Sequence, residues 1–159
     1  MDEVERNEAE KLIERGPELR GSEAAQRAAA LVRQMRTMFP DAEIKGWEPL
    51  EGSFGLPDID DEHVVAAAVL AKAGAIVTEN AKDFPGDRVP PEIQILSARE
   101  FCRDTVGMNP QLALSAVREM AARSGRHGPK LDEASILDVL EQRYGLKEAA
   151  AMIREAMEV

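Results

Sequence analysis

The chain has 159 residues and 44% apolar content, which gives room for one domain with a real core and argues against disorder. Its 30 Asp and Glu against 20 Lys and Arg leave a formal net charge of -10. That field repels polyanions, and it disfavours a passive nucleic-acid binder more than a nuclease whose bound cations offset some carboxylates. Cys102 is the only cysteine, so an internal disulfide and a thiolate metal cage are excluded. No run reaches the roughly 18 apolar residues of a membrane span, and Met1-Asp2-Glu3-Val4-Glu5-Arg6 is unlike a signal peptide. A cytoplasmic setting without membrane contact is expected.

Residues 2–15 read as a helix with Val4, Ala9, Leu12 and Ile13 on one side, ended by Gly16-Pro17. A second helix is predicted from Gly21 or Ser22 to about Met38, with Ala24, Ala28, Leu31, Val32, Met35 and Phe39 on its apolar side and Pro40 as its stop. Residues 42–47 alternate weakly and are expected to form an outer strand; residues 48–57 are Gly- and Pro-rich loop. A heavily buried helix is predicted from Glu62 to about Ala73, with Gly74 as its C-cap. Residues 75–78 are apolar without alternation, as in a central parallel strand, and residues 93–97 form another short strand. Ser97 with Glu100 makes a capping box for the helix that follows. Beyond Met108 three further helices are predicted, opening at Asn109-Pro110, at Asp132 and near Leu146, with no strand among them. The expectation is an α/β domain to about residue 107 followed by a helical extension.

The most informative stretch is Leu56-Pro57-Asp58-Ile59-Asp60-Asp61-Glu62-His63-Val64-Val65-Ala66-Ala67-Ala68. Small side chains behind Asp61 let the helix lie close to a sheet and bring its acidic start to the sheet's edge. The strand at 75–78 leads into Asn80-Ala81-Lys82-Asp83, so Asn80 and Asp83 fall where open α/β sheets collect ligands. Glu3, on the first helix, is a further candidate for the same place. Converging carboxylates suit a hard divalent cation, Mg²⁺ or Mn²⁺, which polarises a phosphodiester and activates water. Bland readings stand beside each of these. Asp60 and Asp61 can cap the helix and complement its dipole. His63 can be a packing or hydrogen-bonding residue, residues 80–83 an Asx-type exit turn, and Glu3 solvated surface. Arg118, Arg123, Arg126, His127 and Lys130 form the one basic-leaning region, suited either to a phosphate backbone or to complementing helix ends. Cys102 reads as buried and inert.

The segment from Leu56 to Ala68, together with Val77-Thr78-Glu79-Asn80-Ala81-Lys82-Asp83-Phe84-Pro85, resembles the PIN domain of VapC-type toxin ribonucleases, in the subgroup with a helical C-terminal extension. Asp2-Glu3-Val4-Glu5-Arg6-Asn7 is similar to that subgroup's acidic helix. The resemblance covers residues 2–105 and, more loosely, 106–159. It implies a PIN-like three-layer α/β/α domain with a parallel sheet over residues 1–107, its usual N-terminal strand missing, and a helical extension over 108–159. It implies Mg²⁺- or Mn²⁺-dependent hydrolysis of RNA and an antitoxin protein that occludes the site. By matching position Glu3 would be the family's second acidic residue and Asp61 the third, while Asn80 and Asp83 occupy the fourth region and Asp58 is a further acidic residue. Glu3, Asp61 and Asp83 would then be catalytic, and these three with Asp58 and Asn80 would bind metal.

PIN domains open with a hydrophobic strand that ends in a metal-binding Asp, and no such segment precedes Glu3 here. A truncated form, half of a split protein, or a remnant repaired by dimer exchange would each account for that. A missing central strand leaves backbone groups unpaired, so a homodimer or a completing fragment is expected. The leading function is therefore a toxin-class endoribonuclease, inactive if the gap is not filled. Its competitors are a non-catalytic module that binds an antitoxin or a completing fragment, and a different metal-dependent phosphohydrolase or DNA nuclease.

Overall fold

The structure, a computed structural model, describes residues 2–15, 21–125 and 128–158; the expected helix stop at Gly16-Pro17 lies outside them. The contacts divide the chain into two compact units, residues 1–50 and 51–159.

In the first unit helix α1 (Asp2–Arg15) packs on helix α2 (Gly21–Met38). Helix α2 buries Ala24, Ala28 and Val32, a four-residue spacing that makes one stripe along the helix. Leu31 and Phe39, expected on that apolar side, are exposed instead. The guanidinium of Arg36 donates to both carboxylate oxygens of Glu43, at 3.2 and 2.8 Å, and ties the segment after α2 back to it. That bond holds the Glu43 carboxyl below its usual range. Residues 42–47 are not the expected strand. No neighbouring strand pairs with them among the described residues, and Gly46 takes the left-handed region (φ +79°), which breaks an extended run.

The second unit is mixed α/β and mostly helical. A 3-10 turn (Ile59–Asp61) leads into α3 (Glu62–Leu70), which buries Val65, Ala66 and Ala68. The helix stops sooner than its composition predicts. Lys72, not Gly74, takes the left-handed position (φ +53°), and Ala73 N–H donates back to Ala68 O at 2.9 Å. Strand β1 (Ala75–Val77) follows, then a 3-10 turn (Ala81–Asp83) and strand β2 (Gln94–Leu96). The two strands pair in parallel, Ala75 with Gln94, Ile76 with Ile95 and Val77 with Leu96. Leu56, Val65, Ala68, Ile76, Phe84, Val89 and Ile93 form the core of this part.

Four helices complete the unit: α4 (Ala98–Met108), α5 (Pro110–Arg123), α6 (Glu133–Tyr144) and α7 (Lys147–Met157). Their starts obey the sequence signals. Ser97 and Glu100 make the reciprocal capping box, Asn109 caps α5 through Leu112 N–H, and Asp132 caps α6 through Ser135 N–H. Gly145 closes α6 in the left-handed conformation. Helices α5, α6 and α7 share a core of Leu114, Val117, Ile136, Leu137, Ala150 and Ile153, and α4 packs on α7. Among the described residues no helix is long and apolar enough to cross a membrane.

Candidate functional site

Helix α3 reaches β1 through a short turn, so it runs back along the sheet, and its start lies at the end where β1 and β2 finish. Three acidic segments adjoin that end in chain order: residues 58–63 entering α3, residues 78–83 leaving β1, and residues 97–100 entering α4, the last two joined by the Glu79–Ala98 bond. The expectation that the acidic helix start and the Asn80–Asp83 turn share one end of a parallel sheet follows from this topology.

Most of the carboxylates there hold backbone. Asp58 accepts from Asp60 N–H at 2.9 Å and caps the turn before α3. Glu79 accepts from Ala98 N–H at 3.1 Å, linking the exit of β1 to the start of α4. Glu100 accepts from both the N–H and the hydroxyl of Ser97, which hold its carboxyl below the usual range. Glu62 is the deepest of them, only 2% exposed. It accepts from Leu56 N–H at 2.8 Å and Phe54 N–H at 3.0 Å. Burial alone would raise its pKa; the amides of Leu56, Phe54, Gly55 and Gly52 together outweigh burial and hold it below its ordinary 4.5. Glu62 thus pins the loop that leads to Asp58.

Asp61 differs from these neighbours. It is half-buried at the N-cap position of α3, yet its side chain makes no capping hydrogen bond to the helix. Asp83 is fixed by its turn: its N–H donates to Asn80 O at 3.1 Å, the next residue Phe84 is buried in the core, and the Asn80 side-chain amide donates to the Asp83 carboxylate. His63 Nδ1 lies 2.6 Å from Asp60 O. A carbonyl oxygen only accepts, so Nδ1 carries the proton and orients the ring.

Glu3 lies in α1, but its side chain is outside the described residues, as are Arg126 and His127. Among the described residues no group of three or more His, Cys, Asp or Glu is placed to hold a metal ion. A centre built wholly from protein side chains is therefore absent from them. Mg²⁺ asks for less, since it is commonly held by one or two carboxylates with water and substrate phosphates completing the shell. Asp61 and Asp83 have the oxygen chemistry for that role.

Within the basic-leaning region Lys130 complements a helix end. Lys130 Nζ donates to the last carbonyls of α5, Ala121 O at 2.6 Å and Ala122 O at 3.3 Å, and Arg118 lies 3.6 Å from Glu133. Cys102, expected to be buried, is half-buried and free. Two clamps escaped the sequence reading, Glu62 on its loop and Glu79 on α4. A glutamate in the first helical turn, shortly after Gly-Ser-Phe-Gly, was the available signal for the first; nothing local marks the second. No family model, curated protein or solved structure matches the chain.

Proposed function

We propose that this chain is a metal-dependent endoribonuclease of the toxin class, acting at the carboxyl end of its parallel sheet. One observation carries the reading: Asp61 at the start of α3 and the Asn80–Asp83 turn after β1 belong by chain order to the same end of the parallel sheet. A half-buried carboxylate at the start of that helix has the hard oxygen donors that Mg²⁺ or Mn²⁺ takes. Asp61 and Asp83 would hold Mg²⁺ or Mn²⁺, with Asn80 orienting Asp83 and Glu62 fixing the approach to Asp58. The ion, when bound, would polarise a phosphodiester and lower the pKa of its water. A PIN-like three-layer arrangement belongs to the same proposal. In it β1 and β2 are neighbours in a larger sheet, completed along the open edge of β1 by a second copy or another polypeptide.

Titration calorimetry with Mn²⁺ tests this directly. Binding in the native chain and its loss in Asp61→Asn are expected, together with loss of Mn²⁺-dependent RNA cleavage. Asp→Asn keeps size and removes charge, so it reports on ligation. No heat at millimolar Mn²⁺ would end the nuclease reading.

A second reading is favoured by the open edge itself. Val77 is 45% exposed, and no strand pairs with its side of β1 among the described residues. A non-catalytic module would use that edge to take a strand from an antitoxin or a completing fragment. Stoichiometric binding of such a strand, with RNA left intact at every metal concentration, would select it.

A further inference from the structure

Between the start of α4 and the start of α7 lies a concave pocket of about 370 Å³. Arg99, Arg103 and Lys147 line it, with Glu100 and Glu148 as its acidic members. The acidic members are already engaged. Glu100 is closed on Ser97, and Glu148 lies 3.7 Å from Arg103, which also donates to Asp104 at 2.8 Å. Arg103 is thus a neutralised wall. Arg99 and Lys147 make no ion pair or side-chain hydrogen bond among the described residues. The stem of Arg99 is laid over Gly145, where an added Cβ would come 3.6 Å from its Cδ. In a chain of net charge -10, two uncommitted cations converging on one cavity are an exception to the surrounding field.

The backbone adds to it. Leu146 precedes α7 without a side-chain cap, and Lys147, Glu148 and Ala149, whose amides open that helix, line the same cavity. The pocket also borders Ser97, at the carboxyl end of β2, the end of the sheet to which the nuclease reading assigns catalysis.

We propose that this pocket binds a phosphoryl oxyanion through Arg99, Lys147 and the first amides of α7. On the nuclease reading, on which this identification of the ligand rests, the oxyanion is a backbone phosphate of the RNA strand, held beside the carboxylate end of the sheet. Arg99 offers planar paired donors and Lys147 a point charge; together with backbone amides they suit a tetrahedral anion better than a planar carboxylate.

Inorganic phosphate is the first probe, titrated against amide NMR shifts with chloride matching the ionic strength. Saturable shifts at Arg99 and at residues 147–149 are expected, with affinity falling at least about tenfold in Arg99→Glu/Lys147→Glu, as the loss of two charge-assisted hydrogen bonds requires. The single variant Lys147→Gln, at an exposed position, should lose part of it. No saturable shift, or equal affinity in the double variant, overturns the pocket whatever the nuclease assay shows. Single-stranded RNA binding in EDTA is the second arm. A fall of about 0.7 in the slope of log affinity against log salt for each lost phosphate contact identifies RNA as the source. An unchanged slope beside intact phosphate binding overturns RNA as the ligand and assigns the pocket to free phosphate. Phosphate binding without any Mn²⁺-dependent cleavage removes the nuclease reading and leaves the oxyanion site in place.

Discussion

Glu62 shows how one side chain sets the geometry of a loop. Its carboxylate is withdrawn from water and given backbone amides from the loop before α3 in exchange. Removing the charge while keeping the shape should release that loop, because amides left without an anion are buried donors with a poorer acceptor. Glu62→Gln is expected to lower the melting temperature by several degrees at neutral pH. The pH dependence has a definite sign. The folded pKa lies below the ordinary 4.5, so the unfolded chain binds the proton more readily in the window beneath it. The contribution of Glu62 is fully present above pH 4.5 and is lost as pH falls through the folded value. Urea melts of the native chain should weaken across that window, and those of Glu62→Gln should weaken less. Equal acid sensitivity in the two would show that the loop does not depend on this carboxylate.

The helices are bounded by short-range chemistry, and two positions test it in opposite directions. Ser97→Ala removes the hydroxyl half of the capping box at the start of α4, the acceptor for Glu100 N–H, while the backbone N–H of residue 97 can still donate to Glu100, and it is expected to cost about 1 kcal/mol. Lys72 holds a left-handed conformation that side chains resist, so Lys72→Gly is expected to gain roughly 0.5–1 kcal/mol. Equilibrium denaturation reads both. A neutral Lys72→Gly would mean that the α3–β1 turn is not strained. The early stop of α3 has a tertiary cause. The run through Ala73 has helical composition, and Gly74 is the residue type that usually ends a helix. The turn must instead reverse the chain in time for Ile76 to enter the core, and that register sets the stop two residues earlier.

At the scale of the molecule the sheet is the least self-sufficient element. Two parallel strands of three residues each are fewer than a sheet usually needs for independent stability. Thr78 N–H and Gly74 O bond to β2, so the alternating groups of Ala75 and Val77 face the other way, where no strand lies among the described residues. An edge of that kind favours pairing with another chain. Concentration-dependent association in sedimentation experiments is expected, and Val77→Lys should shift it toward the monomer by placing a charge beside the edge. A native chain that stays monomeric at all concentrations and copurifies with nothing would remove both the dimer and the completing-fragment expectations.

By itself the sequence determined the helix starts at Ser97, Asn109 and Asp132, because caps depend on a few adjacent residues. It also determined that two short apolar runs flanking the Asn80–Asp83 turn are parallel strands, since a stretch without alternation needs cover on both faces. Only the tertiary structure decided which carboxylates are spent on backbone. Asp58, Glu62 and Glu79 look alike in composition, and each is distinguished only by the amide that comes within reach of it. It likewise decided that residues 42–47 form no strand and that Arg99 and Lys147 line one cavity. Pairing partners and converging charges from distant parts of a chain are fixed by packing, and packing leaves no mark on local residue order.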